Sequence, residues 1–156
     1  MKNIQILVLL LAAWGMLGLG CDDTPSFEQQ QEIDRALIEE YIAVNNLDGY
    51  FLDNGVYVDL EKPGVGTENP NIASLLQIEL NGKFLDGEVF WTTGGQPQAW
   101  PVSRFIRGLQ DGIQEFKAES EGLVIIPSRL AYGVNGQGEI PPNAVIMFEV
   151  ILFEFD

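Results

Sequence analysis

The sequence predicts an α+β fold, an antiparallel sheet with one short helix in the body of the domain and a longer helix ahead of it. Three observations carry this: alternating apolar and polar stretches through the second half of the chain, one short run with apolar residues four, four and three apart, and Gly, Pro and Asn clusters between them. At 156 residues the chain is long enough for one core. Asp and Glu number 23 against 8 for Lys and Arg, a net charge of −15, so nucleic acid is not an expected partner and an anionic membrane surface would repel the protein. There is no His. The commonest general base and the commonest transition-metal ligand are therefore missing, and the scattered carboxylates show no calcium-loop spacing, so neither a metal nor another cofactor is expected.

The elements follow in order. Lys2 and an apolar run over 4–13, broken only by Gln5, have the layout of a secretory signal. Cys21 comes next, and Gly18-Leu19-Gly20-Cys21 resembles the bacterial lipobox, in which the Cys is lipidated and becomes the N-terminus; Gly18 stands where that motif usually has Leu. Two other readings stand beside lipidation: a retained membrane helix, at the short limit of the ~20 residues a span needs, and an ordinary signal peptide with an incidental thiol. With a single Cys the chain can form no internal disulfide. The organisation expected is a signal over 1–20, then Cys21, a spacer and a helix to residue 49, then one domain over 50–156.

That helix begins with a capping-box pattern, Ser26 and Gln29. Phe27, Ile33, Leu37, Tyr41 and Val44 then recur at near-helical spacing until Asn45-Asn46 and Gly49. Asp53-Asn54-Gly55 joins Tyr50-Phe51-Leu52 to an alternating stretch over 56–60 as a hairpin. Residues 63–70 read as a loop. Leu76, Ile78 and Leu80 alternate with polar residues in a strand that Asn81-Gly82 interrupts, Asp86-Gly87 makes a turn, and Val89-Phe90-Trp91 resumes. Residues 92–99 read as another loop. Phe105, Leu109, Ile113 and Phe116 share one face of a helix within 104–116, and 123–126 and 145–155 are β-rich, the second long enough for a central strand covered on both faces.

The functional signal lies in three segments: Phe105-Ile106-Arg107-Gly108-Leu109-Gln110-Asp111-Gly112-Ile113; Ile126-Pro127-Ser128-Arg129-Leu130-Ala131-Tyr132-Gly133; and Ile140-Pro141-Pro142-Asn143-Ala144 with Phe148-Glu149-Val150. In this order and spacing they resemble the FKBP-type peptidyl-prolyl isomerases, over about 76–156. The resemblance implies a twisted antiparallel β-sheet wrapped around a short α-helix. It implies that Tyr132, Phe90, Phe148 and Ile106 carry catalysis, Tyr132 through its hydroxyl, Ile106 through its backbone N–H, and the two phenylalanines as walls around a proline ring. Phe105, Leu109, Trp91, Ile140 and Leu80 would complete the substrate pocket. Four positions depart from the family pattern: Trp91 stands where the family usually has Asp, Leu109 where it has Trp, Leu80 where it has Tyr, and Phe105 where it has a smaller aliphatic residue.

The chemistry suits a chain without His. A prolyl bond turns slowly because its partial double-bond character sets a barrier of ~18–20 kcal/mol. No bond is broken, so the protein needs only to favour the twisted amide over the planar, more dipolar one. An apolar hollow with a few donors at its rim does so. The implied partner is a proline-containing peptide or an unfolded exported protein, met from a lipid anchor on a bacterial membrane. The alternative is a binding module of the same fold that captures peptide and isomerises it little, with Trp91 and Leu109 as the features that favour it. The sequence assigns no oligomeric state.

Overall fold

The computed structural model describes residues 25–156; the signal segment, Cys21 and most of the spacer lie outside the described residues. Helix α1 (Phe27–Asn45) is followed by strands β1 (Tyr50–Phe51), β2 (Tyr57–Val65), β3 (Leu75–Phe84), β4 (Val89–Thr92) and β5 (Gln98–Pro101), helix α2 (Arg107–Ile113), and strands β6 (Ala118–Ile126) and β7 (Ile146–Phe155). These strands form one antiparallel sheet in the order β1-β2-β6-β7-β3-β4, with β5 pairing along β3 beyond the end of β4. The fold is α+β, as the alternation and the single short inner helix require.

Sheet alternation divides the interior. On β6, Val124 and Ile126 face one side and Leu123 and Ile125 the other, since successive side chains of a strand point to opposite faces. The first pair joins the main core with Leu76, Ile78 and Leu80 of β3, Val150 and Leu152 of β7, and Leu109 and Ile113 of α2. Gly108 and Gly112 let α2 lie against β6: a Cβ on either would come within 2.2 Å of Ile126 Cγ2 or 2.4 Å of Val124 Cγ1. The second pair packs with Tyr57, Val145 and Met147 beneath Ile38 of α1. Strand β7 is therefore covered on both faces only where α1 lies; further on, Phe153 is exposed.

Helix α1 starts with the expected capping box, Ser26 Oγ accepting from the Gln29 N–H and Gln29 Oε1 from the Ser26 N–H. It ends where Asn46 turns left-handed, with φ 53°. Its buried face differs from the apolar stripe. Ile38 and Asp34 are buried, whereas Phe27, Ile33, Leu37 and Val44 are exposed. Burial is set by a carboxylate: Asp34 Oδ2 accepts from the backbone N–H of Ser128 (2.8 Å) and from its hydroxyl (2.7 Å), and Oδ1 accepts from Gln30 (2.7 Å). Arg35, one residue on, stacks its guanidinium 3.4 Å from the Phe51 ring centroid and pairs with Glu39.

Other boundaries shift for identifiable reasons. The 53–55 turn closes the β1–β2 hairpin in the register Phe51↔Tyr57. Strand β2 runs on through Pro63 to Val65, inside the stretch read as a loop; β1 pairs only with Tyr57 and Val58, so Pro63, which has no N–H, lies on an edge opposite Ser120. Asn81-Gly82 does not interrupt β3, which pairs with β7 without a break from Ile78↔Leu152 to Phe84↔Ile146. The stretch read as a loop over 92–99 contains the start of β5, and α2 is shorter than its apolar spacing, because Val102–Arg104 forms a separate tight helical turn.

Candidate active site

A hollow of about 290 Å³ opens between the β3–β4 edge, the turn that precedes α2, and the loop after β6. Leu80 and Leu109, both 1% exposed, belong to its wall and to the core beneath. Phe148 of β7 and Phe90 of β4 stand edge to face, with ring centroids 5.8 Å apart at 89°, and Phe84 backs Phe90 at 5.1 Å. Gly82 makes this possible. It pairs with Phe148 on one side and Trp91 on the other, and a Cβ there would stand 2.7 Å from Phe90 and 2.9 Å from Phe148. The register shift between Gly82 and Lys83 is a β-bulge, with Phe90 the extra residue. That bulge explains why Phe90 and Trp91, neighbours on a strand, both line the same hollow.

The rim is an aromatic row. Trp91 packs on Trp100 of β5, centroids 5.7 Å apart, and Trp100 meets Phe105 edge-on at 6.1 Å. Trp91 is 40% exposed, so its indole borders the opening rather than filling it. The Arg104 guanidinium lies 4.6 Å from the Trp100 ring centroid. Ile106 caps α2, accepting from the Gln110 N–H, while the Gln110 side chain donates to the Phe105 carbonyl at 2.7 Å and fixes the turn between them. Among the described residues, neither the Ile106 N–H nor the Tyr132 hydroxyl has an acceptor, leaving two donors at the wall. Burial pushes the Tyr132 phenol above its ordinary value of 10, so the hydroxyl keeps its proton at neutral and mildly alkaline pH.

The structure thus brings Tyr132, Phe90, Phe148, Ile106, Phe105, Leu109, Trp91 and Leu80 around one cavity. Ile140 is placed elsewhere. It is 7% exposed in the core and holds a tight loop through paired backbone bonds with Gln137, whose side of the loop reaches the hollow. Trp100, Arg104 and Gln137 line the cavity without having been singled out in the sequence. An isolated Trp between two prolines, Pro97 and Pro101, was the one available sign for Trp100. Larger hollows exist, one of about 600 Å³ between α1 and the β3–β4 turn, but Tyr41 is the single aromatic residue of its lining, so no aromatic wall forms there.

A twisted antiparallel sheet around a short helix, with an aromatic cavity at the helix's entry turn, defines the class: a prolyl-isomerase fold. A crystallised peptidyl-prolyl cis-trans isomerase from Pseudomonas syringae pv. tomato superposes with a TM-score of 0.71 at 24% identity, covering 85% of this chain and 98% of that one. The family model for FKBP-type peptidyl-prolyl cis-trans isomerases matches residues 66–153, and the chain belongs to that family. Among curated relatives, the FKBP-type peptidyl-prolyl cis-trans isomerase FkpA of Aeromonas hydrophila is 33% identical over 122 residues, 76% of this chain and 45% of the relative. Outer membrane protein MIP of Legionella longbeachae is 28% identical over 131 residues, 81% of this chain and 56% of the relative. The chain spans about half the length of these two relatives.

Proposed function

We propose that the protein is a peptidyl-prolyl cis-trans isomerase acting on exported polypeptides and held at a bacterial membrane by a lipid on Cys21. The observation that supports it best is the cavity itself: an apolar hollow walled by Phe90, Phe148 and Leu109 with two unengaged donors, Tyr132 and the Ile106 N–H. The proline ring packs against the wall that the two phenylalanines form, where water is excluded and the planar, more dipolar amide loses solvation. The Ile106 N–H and the Tyr132 hydroxyl hold substrate carbonyls in the geometry of the twisted amide, so binding is tighter midway through rotation than at either end. No proton is transferred. Turnover of a short Xaa-Pro peptide by the full chain should therefore be level from pH 6 to 9, since the lining has no group that titrates there and burial moves Tyr132 away from that window. Tyr132→Phe should lower turnover by about tenfold, the worth of roughly one hydrogen bond. A wild-type rate equal to that of a Tyr132→Phe, Phe148→Ala double variant would exclude catalysis at this site.

The second reading, a peptide-binding module that isomerises little, is favoured by Trp91, which borders the cavity at the position where the family usually carries Asp. Since no proton moves, the exchange weakens positioning and leaves the shape-based part of catalysis in place. Export and lipidation rest on the 1–20 segment with Gly18-Leu19-Gly20-Cys21, on the likeness to the outer membrane protein of Legionella longbeachae, and on charge: at −15 the chain is repelled by an anionic membrane surface, which favours an anchor over a basic patch. No helix among the described residues is long and apolar enough to cross a membrane. Metabolic labelling with a clickable fatty acid should mark the wild type and leave Cys21→Ser unmarked; equal labelling of both would place the anchor elsewhere.

A further inference from the structure

We infer that Arg104 is a specificity-determining residue that selects substrates carrying a carboxylate beside the proline, a conclusion that rests on the peptide-binding reading of the cavity. Arg104 is the one charged side chain in the cavity lining, in a chain with 23 carboxylates and 8 cationic residues. Trp91 occupies the place where the family's acid usually stands, so the charge offered to a bound peptide is positive. Four ion pairs form among the described residues, through Arg35, Lys62, Lys83 and Arg107, and none of them engages Arg104. Arg129 is likewise used, donating to the Asn54 carbonyl. Arg104 instead rests against the Trp100 face at 4.6 Å, which dries one side of the guanidinium and limits its rotamers without neutralising it. Its fork of donors is left for an incoming acceptor.

The position fits a neighbour of the proline rather than the ring itself. Arg104 ends the tight turn Val102–Arg104, two residues before the Ile106 N–H, and rests on Trp100, which packs against Trp91 and Phe105 in the aromatic row of the rim. An extended peptide advances ~3.3 Å per residue, so a chain bonded at Ile106 brings an adjacent residue over the Trp100–Arg104 shelf. A Glu or Asp there gains a charge-assisted contact, and a Lys meets repulsion. The chain's negative field acts against every acidic peptide alike. It slows their approach without distinguishing an Arg104 variant from the wild type, whereas the local contact does distinguish them.

The test is calorimetric affinity of the full chain for peptides that differ only by Glu, Gln or Lys at the residue before, and then the residue after, a single proline. At one of these positions Glu should bind about two- to fivefold more tightly than Gln, the range of a partly exposed ion pair. Arg104→Lys should retain the preference, Arg104→Gln should bring the ratio to one, and Arg104→Glu should invert it in favour of Lys. Equal affinities for Glu and Gln at both positions in the wild type, or a Glu preference that survives Arg104→Gln, would overturn the inference. Turnover of the Gln peptide is followed in parallel. A chain that binds without isomerising fails as an isomerase, while its Glu-to-Gln affinity ratio still decides the role of Arg104.

Discussion

Gly82→Ala is expected to cut prolyl turnover by on the order of 10- to 100-fold while the domain stays folded, the cost of displacing positioned groups by a fraction of an ångström to an ångström. The added methyl would sit 2.7 Å from two ring atoms of Phe90 and 2.9 Å from one of Phe148, closer than carbon atoms approach without strain. Gly82 pairs without a break with Phe148 and, at the edge of the bulge, with Trp91, and its φ is not positive, so alanine fits the backbone and the conflict falls on the rings. Phe148 is 5% exposed and has Leu80, Val150 and the core behind it; Phe90 is half-buried on an edge strand and moves first. It moves into the hollow or away from Phe148, and either shift spoils the edge-to-face wall. Overpacking of this kind costs about 1–3 kcal/mol, so the urea midpoint should fall modestly while kcat/KM falls steeply. Wild-type kcat/KM in a folded Gly82→Ala protein would mean that the two phenylalanines do not form the reactive wall.

The sequence shows the parts of this site that repeat a local pattern and hides those that depend on pairing at a distance. Leu76, Ile78 and Leu80 announce their strand by alternation, Ser26 and Gln29 announce the start of α1, and the Tyr132 and Phe148 segments stand out through their resemblance to the FKBP-type family. Trp100 is different. Its strand is four residues long, bounded by prolines, and exists because it extends β3 beyond β4; nothing local marks it as a strand or places its indole between Trp91 and Phe105. Gly82 reads as a break because glycine weakens strands, whereas here the missing side chain is the space two aromatic rings require. Apolar periodicity also misplaced the buried face of α1, since no hydropathy rule puts an Asp at a buried position. Asp34 is buried because its acceptors meet donors on Ser128, 94 residues later in the chain.

That contact sets the second large effect: Asp34→Ala should destabilise the fold by about 2–4 kcal/mol, the loss of hydrogen bonds to a charged acceptor together with stranded buried donors. Ser128 is 1% exposed, so its N–H and hydroxyl cannot turn to water when the carboxylate is removed. Asp34→Asn keeps an oxygen for both Ser128 donors, and Gln30 can rotate its amide to accept from the new NH₂, so it should cost only about 1 kcal/mol. In thermal unfolding the alanine variant should melt roughly 10 °C below wild type and the asparagine variant within a few degrees of it. The effect should also reach the cavity. Ser128 opens the turn Ser128–Leu130, whose last bond, from the Ala131 N–H to the Ser128 carbonyl, leads directly into Tyr132. Amide exchange over 128–132 should therefore quicken in Asp34→Ala more than in the β6–β7 pairing, and kcat should drop with it. An alanine variant that melts with the wild type would show that Ile38 and its apolar neighbours hold α1 without the buried carboxylate.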